Sequence, residues 1–258
     1  MNPVKYSVDG NVATITLADD ENRNALGNAL IEGIYSSLQA AIDDTNIRAI
    51  LLTHEGSVFC AGVNLKERSG NAEQVSSRLV GFEQVLSLIQ TCKKPVIAKI
   101  HGATLGGGVG LACASDISIA TENTTFGFTE VRLGVAPAII AVVCLQKMRR
   151  GELTEAFLRG NRFSGEEAAK LGIITRAVDS EHLESEIESI LDDILRGGPM
   201  ALGAAKKIIN EVPGMSDAEA FEWAAQYSDA LFDSVEASEG MAAFLEKRDP
   251  DWIIETDS

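Results

Sequence analysis

The chain has 258 residues, a formal net charge of −16 and 45% apolar residues. That length supplies one large domain, or a core with an appendage, and enough apolar material for a sizeable buried core. So acidic a surface repels a phosphate backbone, which argues against nucleic acid as a partner; an anionic small molecule would need local N–H groups and a few placed cations.

The N-terminal stretch MNPVKYSVDG has no apolar core of a signal peptide, and no apolar run approaches the roughly 20 residues of a membrane span. A cytosolic protein with no membrane partner is expected. The four cysteines, Cys60, Cys92, Cys113 and Cys144, are far apart with no C-x-x-C pair, so reduced thiols fit best.

Residues Lys5 to Leu17 alternate in polarity around Asp9-Gly10-Asn11, a β-hairpin pattern. Apolar residues at helical spacing predict a helix over Asn28 to Ile42, with Asn28 as its cap. Ile47 to Thr53 reads as a buried strand, Ala72 to Thr91 as a helix, and Pro95 to Ile100 as a second buried strand. A helix opens near Gly106 and runs to Ala114, and Asp116 to Ala120 is strand-like. Strands and helices alternate to about residue 178, which predicts an α/β fold with parallel strands. Beyond it, Glu181 to Leu195, Pro199 to Glu211, Asp217 to Phe232 and Ser234 to Lys247 all read as helices. Gly197-Gly198-Pro199 marks a soft boundary between a core of residues 1–197 and a helical region of residues 198–258.

Three segments carry the chemistry. Ser57-Val58-Phe59-Cys60-Ala61-Gly62-Val63-Asn64-Leu65 follows a buried strand, and Ala61 and Gly62 let a ligand approach the backbone; a plain turn capped by Asn64 is the competing reading. The second segment, His101 to Gly110, holds the triplet Gly106-Gly107-Gly108. It lacks the Lys-Ser/Thr of a P-loop, and the sixth positions counted from Gly106 and Gly108 are Leu111 and Cys113, so a dinucleotide fingerprint fails. A bare-backbone approach to a polarised oxygen at a helix N-terminus remains, against close helix packing. In the third, Phe126 to Pro137, Glu130 sits among apolar residues, where a carboxyl titrates high and suits acid–base work; an ion pair with Arg132 is the alternative. The histidines His54, His101 and His182 show no metal-ligand spacing, and none is expected to hold a metal.

The order FCAGVNL, HGATLGGGVGLACASDISIA and FGFTEVRLGVAP, with ENRNAL before it and AAFLEKRDPDW after it, resembles the crotonase (enoyl-CoA hydratase/isomerase) superfamily over nearly the whole chain. The resemblance implies a spiral of ββα units with a C-terminal helical trimerisation region. It implies an acyl-CoA thioester as substrate, with CoA part of that substrate and no separate cofactor, and a homotrimer or dimer of trimers. Carried over by position, it puts an oxyanion hole on the backbone N–H groups of Val63 and Gly107 and the catalytic carboxylate on Glu130. CoA contacts fall on Asn24, Ala25, Ala61, Gly62, Leu65 and Lys66, with Phe244 and Lys247 reaching across a subunit contact. The chain departs from the family at Gly110, where common hydratases carry a second glutamate, and at Pro137-Ala138-Ile139-Ile140, which replaces a glycine-rich run. The GGGxG form with an EVRLGxxPA loop is similar to bacterial methylglutaconyl-type hydratases, so hydration is ranked first. A Δ3-Δ2 isomerase using Glu130 alone, a non-catalytic acyl-CoA binder and a nucleotide-binding α/β protein follow.

Overall fold

The structure, a computed structural model, describes residues 3–69 and 80–253. The predicted hairpin forms: β1 (Val4–Asp9) and β2 (Val12–Leu17) pair antiparallel with Asp9 opposite Val12, and Gly10 takes the turn at φ +51°. Ala13, Ile15 and Leu17 alternate inward on β2 and are fully buried. From there β3 (Ala49–His54), β5 (Val96–Ile100), β7 (Ile117–Thr121) and β10 (Arg176–Val178) extend one six-stranded sheet in the order β1-β2-β3-β5-β7-β10, every pair after the hairpin being parallel.

A second sheet runs β4 (Val58–Cys60), β6 (Ala103–Leu105), β8 (Thr125–Gly127) and β9 (Arg162–Ser164), antiparallel only at its β8–β9 edge. After the β1–β2 hairpin, three circuits of the chain (β3–β4, β5–β6 and β7–β8) each lay one strand in the first sheet and one in the second before a helix carries it back. This is the ββα spiral of the crotonase fold.

Helix α1 (Asn28–Asp43) buries Leu30, Ile31, Ile34, Leu38 and Ala41. Asn28 is its first residue and not its cap, contrary to the sequence reading; Gly27 takes the cap position. The capping acceptor comes from elsewhere in the chain, since the Asn28 N–H donates to Glu67 Oε2 at 3.0 Å. Asn64 does cap α2 (Leu65–Ser69), accepting from Lys66 N–H at 3.1 Å and Glu67 N–H at 3.3 Å. Of the helix expected over 72–91, residues 72–79 lie outside the described residues. The described part, α3, runs Phe82–Thr91, and the N–H of Gly81 ahead of it donates to Gln84 Oε1 at 2.7 Å.

Helix α4 (Gly107–Ala114) matches its expectation to within one residue. Then α5 (Ala138–Lys147), α6 (Arg150–Arg159) and α7 (Gly165–Lys170) fill a stretch in which no individual element was read. The four closing helices are α8 (Leu183–Arg196), α9 (Pro199–Glu211), α10 (Asp217–Phe232) and α11 (Val235–Glu246). Helix α8 covers the first sheet: Leu183, Ile187 and Ile194 pack on Ala49, Leu51, Ile97 and Ile119. All four cysteines are buried and free. No helix among the described residues is long and apolar enough to cross a membrane.

One buried cation ties α9 to the spiral. Lys206 Nζ donates to Asp116 Oδ2 at 2.7 Å and to the carbonyls of Ile89 (2.7 Å) and Lys94 (3.1 Å). Burial holds the Asp116 carboxyl above its ordinary value in spite of Lys206, so the fold carries the desolvation of both groups. Lys206→Met is therefore expected to cost about 3 kcal/mol, because Asp116 is left without its cation. Adding Asp116→Asn should return most of that loss, as read by urea unfolding.

Candidate active site

Strands β4, β6 and β8 are neighbours in the second sheet and run parallel. Adjacent strands lie about 4.8 Å apart. Each of these strands leads at its C-terminal end into one of the three segments singled out in the sequence. The topology alone therefore delivers Gly62-Val63, Gly106-Gly107 and Glu130 to one edge of the sheet.

The first turn is pinned by a parallel bridge. Leu26 N–H donates to Gly62 O at 2.7 Å and Asn64 N–H donates to Leu26 O at 3.3 Å, so Val63 is the residue opposite Leu26. In such a pairing the N–H of the middle residue points to the other side. Val63 N–H has no acceptor among the described residues. Gly107 is the first residue of α4, where a helix supplies no acceptor for the amide, and its N–H too has none among the described residues. The two turns touch: a Cβ built on Gly62 would lie 3.2 Å from Leu105 O and 3.6 Å from the Gly107 nitrogen.

Glu130 closes the third side. It opens a single 3-10 turn, Glu130–Leu133, directly after β8. A Cβ on Gly106 would sit 3.0 Å from Glu130 Oε1, so the carboxylate lies against the backbone that presents the Gly107 amide. Glu130 Oε2 is buried with no hydrogen-bond partner. Desolvation raises the Glu130 pKa above the ordinary carboxyl value, opposed in part by the residue's own N–H. The ion pair with Arg132 does not form; Arg132 is exposed and makes no salt bridge among the described residues.

The glycine triplet serves packing and presentation together. Gly106 holds φ +51°, ψ −116°, which turns the following amide outward and strains any residue with a Cβ. Gly108 lies against β4, where a Cβ would stand 2.7 Å from Cys60 O and 2.8 Å from Cys60 Cβ. Close packing and bare-backbone presentation, posed as rivals in the sequence, divide between adjacent residues.

The remaining predicted residues spread around this edge. Asn24 is fully buried at φ +50°, and its side chain bridges the fold: Nδ2 donates to Val58 O at 2.8 Å and Oδ1 accepts from Asp19 N–H at 2.8 Å. Its side chain is thus committed to holding the Leu26 segment against β4, leaving only backbone around Asn24 and Ala25 for a ligand. Ala61, whose N–H donates to Arg23 O at 3.1 Å, Leu65 and Thr129 line a cavity of about 590 Å³ with Arg132, Leu133 and Arg162. Lys66, next in sequence to Leu65, is exposed. Phe244 and Lys247 are not brought to this edge within one chain: they end α11, which packs on α10, and Phe244 is 83% exposed.

Among the histidines, His54 and His101 stack at 3.8 Å between centroids, and His101 N–H donates to His54 Nε2 at 3.2 Å. Burial and the His101 charge push the His54 imidazole down to about 4. The unfolded chain therefore binds a proton that the fold refuses between the ordinary 6.5 and about 4. Stability should fall as pH drops through that window, and His54→Gln should flatten the decline in urea unfolding measured at stepped pH. His182 lies with Asp179 and Glu181, their ligand atoms within 4.8 Å of one another on exposed turns, a juxtaposition the spacing alone did not reveal.

Fold and edge together define a ββα spiral presenting two free amides and one desolvated carboxyl. A family model described as enoyl-CoA hydratase/isomerase matches residues 7–254. The chain belongs to the enoyl-CoA hydratase/isomerase family, within the crotonase superfamily. It is 33% identical to the carnitinyl-CoA dehydratase of Proteus mirabilis over 217 residues, 81% of this chain and 83% of that one. Among solved structures it resembles Pseudomonas aeruginosa AtuE (TM-score 0.89, 30% identity, covering 97% and 99% of the two chains). An enoyl-CoA hydratase of Bacillus anthracis is similarly placed (TM-score 0.89, 30% identity, 96% and 98%).

Proposed function

We propose that the protein adds water to a 2-enoyl-CoA, with Glu130 as the only catalytic carboxylate and the Val63 and Gly107 amides as the oxyanion hole. The convergence of those three groups on one sheet edge carries the reading. As water attacks the β-carbon, negative charge moves to the thioester oxygen, where two preorganised N–H donors stabilise it. Glu130, ionised, takes a proton from that water; the protonated carboxyl then returns it to the α-carbon. The elements of water end on the substrate and the carboxylate is regenerated. A pKa raised by desolvation serves both halves of the cycle.

CoA enters as part of the substrate, and no separate cofactor is used. An anionic thioester must approach a chain of net charge −16. Arg132 and Arg162, which line the cavity with Leu65, supply local positive charge for it. We assign the exposed apolar residues of the helical tail, Phe221, Val235, Phe244 and Leu245 among them, to contacts with further copies in a trimer or a dimer of trimers in the cytoplasm.

Isomerisation of a 3-enoyl-CoA is the second reading, favoured by Gly110: a single carboxylate can move a proton from the α- to the γ-carbon without any other acid. The test offers crotonyl-CoA, a 3-enoyl-CoA and 3-methylglutaconyl-CoA in H₂¹⁸O and follows products by mass. Incorporation of ¹⁸O into a 2-enoyl-CoA supports hydration. Conversion of 3-enoyl-CoA without label supports isomerisation, and tight binding with no turnover of any of the three would reduce the protein to an acyl-CoA binder.

A further inference from the structure

Strand β4 is the edge of the second sheet among the described residues, and its register against β6 shifts between Val58 and Cys60. The segment before α1 stands in for a neighbouring strand on its outer side. Asn24 Nδ2 donates to Val58 O at 2.8 Å, Ala61 N–H to Arg23 O at 3.1 Å, Leu26 N–H to Gly62 O at 2.7 Å and Asn64 N–H to Leu26 O at 3.3 Å. Of these four rungs, the first alone is made by a side chain. Arg23 and Asn24 are also successive residues in the left-handed region, at φ +57° and +50°. Side chains avoid that region, and asparagine tolerates it because its short carboxamide can bond locally. Asn24 does so with Asp19: Oδ1 accepts from Asp19 N–H at 2.8 Å, and the Asn24 N–H donates to Asp19 O at 2.8 Å. Strain of this kind persists only where the surroundings over-determine it. Here it sits two residues before Leu26, the residue opposite Val63.

We propose that Asn24 is a positioning residue for the Val63 amide. Its carboxamide joins Val58, at the start of β4, to Asp19, just past the end of β2. That holds the left-handed turn in shape and sets the height of Leu26 along β4. The Leu26–Val63 bridge then turns the Val63 N–H away from β4's outer side and into the site. Without the carboxamide the three main-chain rungs remain, but the turn that aligns them is free to relax, and the Val63 amide loses its aim. This rests on the reading of Val63 and Gly107 as the oxyanion hole.

The test follows the carbonyl stretch of bound butyryl-CoA, labelled with ¹³C at the thioester carbon, by infrared difference spectroscopy. It also measures kcat and KM on whichever of crotonyl-CoA and a 3-enoyl-CoA the wild type converts. The saturated ligand does not turn over, and two N–H donors polarise its C=O bond. Wild type should therefore lower the frequency below its value in water, and Glu130→Gln should keep that lowering. Asn24→Gly removes the carboxamide but enters the left-handed region without steric cost, so the turn itself is not strained. It should lose most of the lowering, and kcat should fall by about 10-fold or more with little change in KM, approaching the roughly 10²–10³-fold effect of deleting a donor. Asn24→Asp supplies the answer if the glycine variant does not fold. Its carboxyl can donate to Val58 O only when protonated, so the lowering should return as pH falls; wild type over the same range accounts for Asp19, Glu55 and His54 nearby. An unchanged frequency in folded Asn24→Gly, or a kcat within 3-fold of wild type, overturns the proposal and leaves Asn24 a purely structural residue. So does an Asn24→Asp frequency that follows wild type at every pH. A wild type that does not lower the frequency at all removes the oxyanion-hole reading itself, a failure distinct from that of Asn24.

Discussion

Glu130→Gln should lower kcat by about 10²–10⁴-fold with little change in KM, the range a single positioned acid–base group contributes. That corresponds to about 3–5 kcal/mol of barrier. The fold should not suffer, because Glu130 Oε2 makes no hydrogen bond and the carboxylate carries a desolvation cost that the amide lacks. The pH dependence separates this from a mere packing role. A carboxyl whose folded pKa is raised holds its proton in the fold where the unfolded chain has lost it, so wild-type stability declines as pH rises from the ordinary 4.5 through the raised value. Glu130→Gln should remove the Glu130 share of that decline and leave the share of Asp116, whose carboxyl burial also raises. In the wild type, the acid limb of kcat/KM should fall above the ordinary carboxyl range, since the base form is lost there. If the variant turns over crotonyl-CoA and 3-enoyl-CoA as wild type does, Glu130 is not the acid–base group.

Much of this was legible in the sequence because it depends on local rules. The Asp9-Gly10 hairpin, the three long buried strands and the four closing helices follow from periodicity and turn residues, and Pro199–Glu211 and Asp217–Phe232 were read to the residue. Glu130 stood out as a charged residue among apolar ones. The strands β4, β6 and β8 were invisible, since three residues carry no periodicity and their pairing partners lie more than twenty residues away. Yet those strands bring the three segments together. The role of Asn24 was equally hidden: its ties run to Asp19 and Val58, and only the second sheet makes the longer one meaningful. Gly110 could be seen as a missing glutamate, but that Ile140 fills its place is a contact across thirty residues that no single-chain pattern encodes. The capping of α1 by Glu67 failed to show for the same reason.

The second large effect concerns a residue buried where α4 packs on β4. Gly108→Ala would put a methyl 2.7 Å from Cys60 O and 2.8 Å from Cys60 Cβ, both in a fully buried strand. Neither neighbour is the end of a flexible side chain, so α4 and β4 must part by roughly half an ångström to reach ordinary contact. Gly107 precedes the substituted residue by one position and Val63 follows Cys60 by three, which places the displacement between the two amides proposed as the oxyanion hole. Misplacing one such donor costs about 2.7–4 kcal/mol of barrier, so kcat should fall by about 10²–10³-fold. The overpacking itself should cost about 1–3 kcal/mol of stability. Gly151→Ala is the matching control, because a Cβ at Gly151 in α6 meets nothing within 4 Å. It should gain a few tenths to 1 kcal/mol in helix propensity and leave kcat unchanged. Stopped-flow turnover and urea unfolding on the two variants decide the matter. If Gly108→Ala loses stability but keeps its kcat within 3-fold of wild type, the contact between Cys60 and α4 does not set the spacing of the two amides, and the oxyanion hole must be held by the Leu26–Val63 bridge instead.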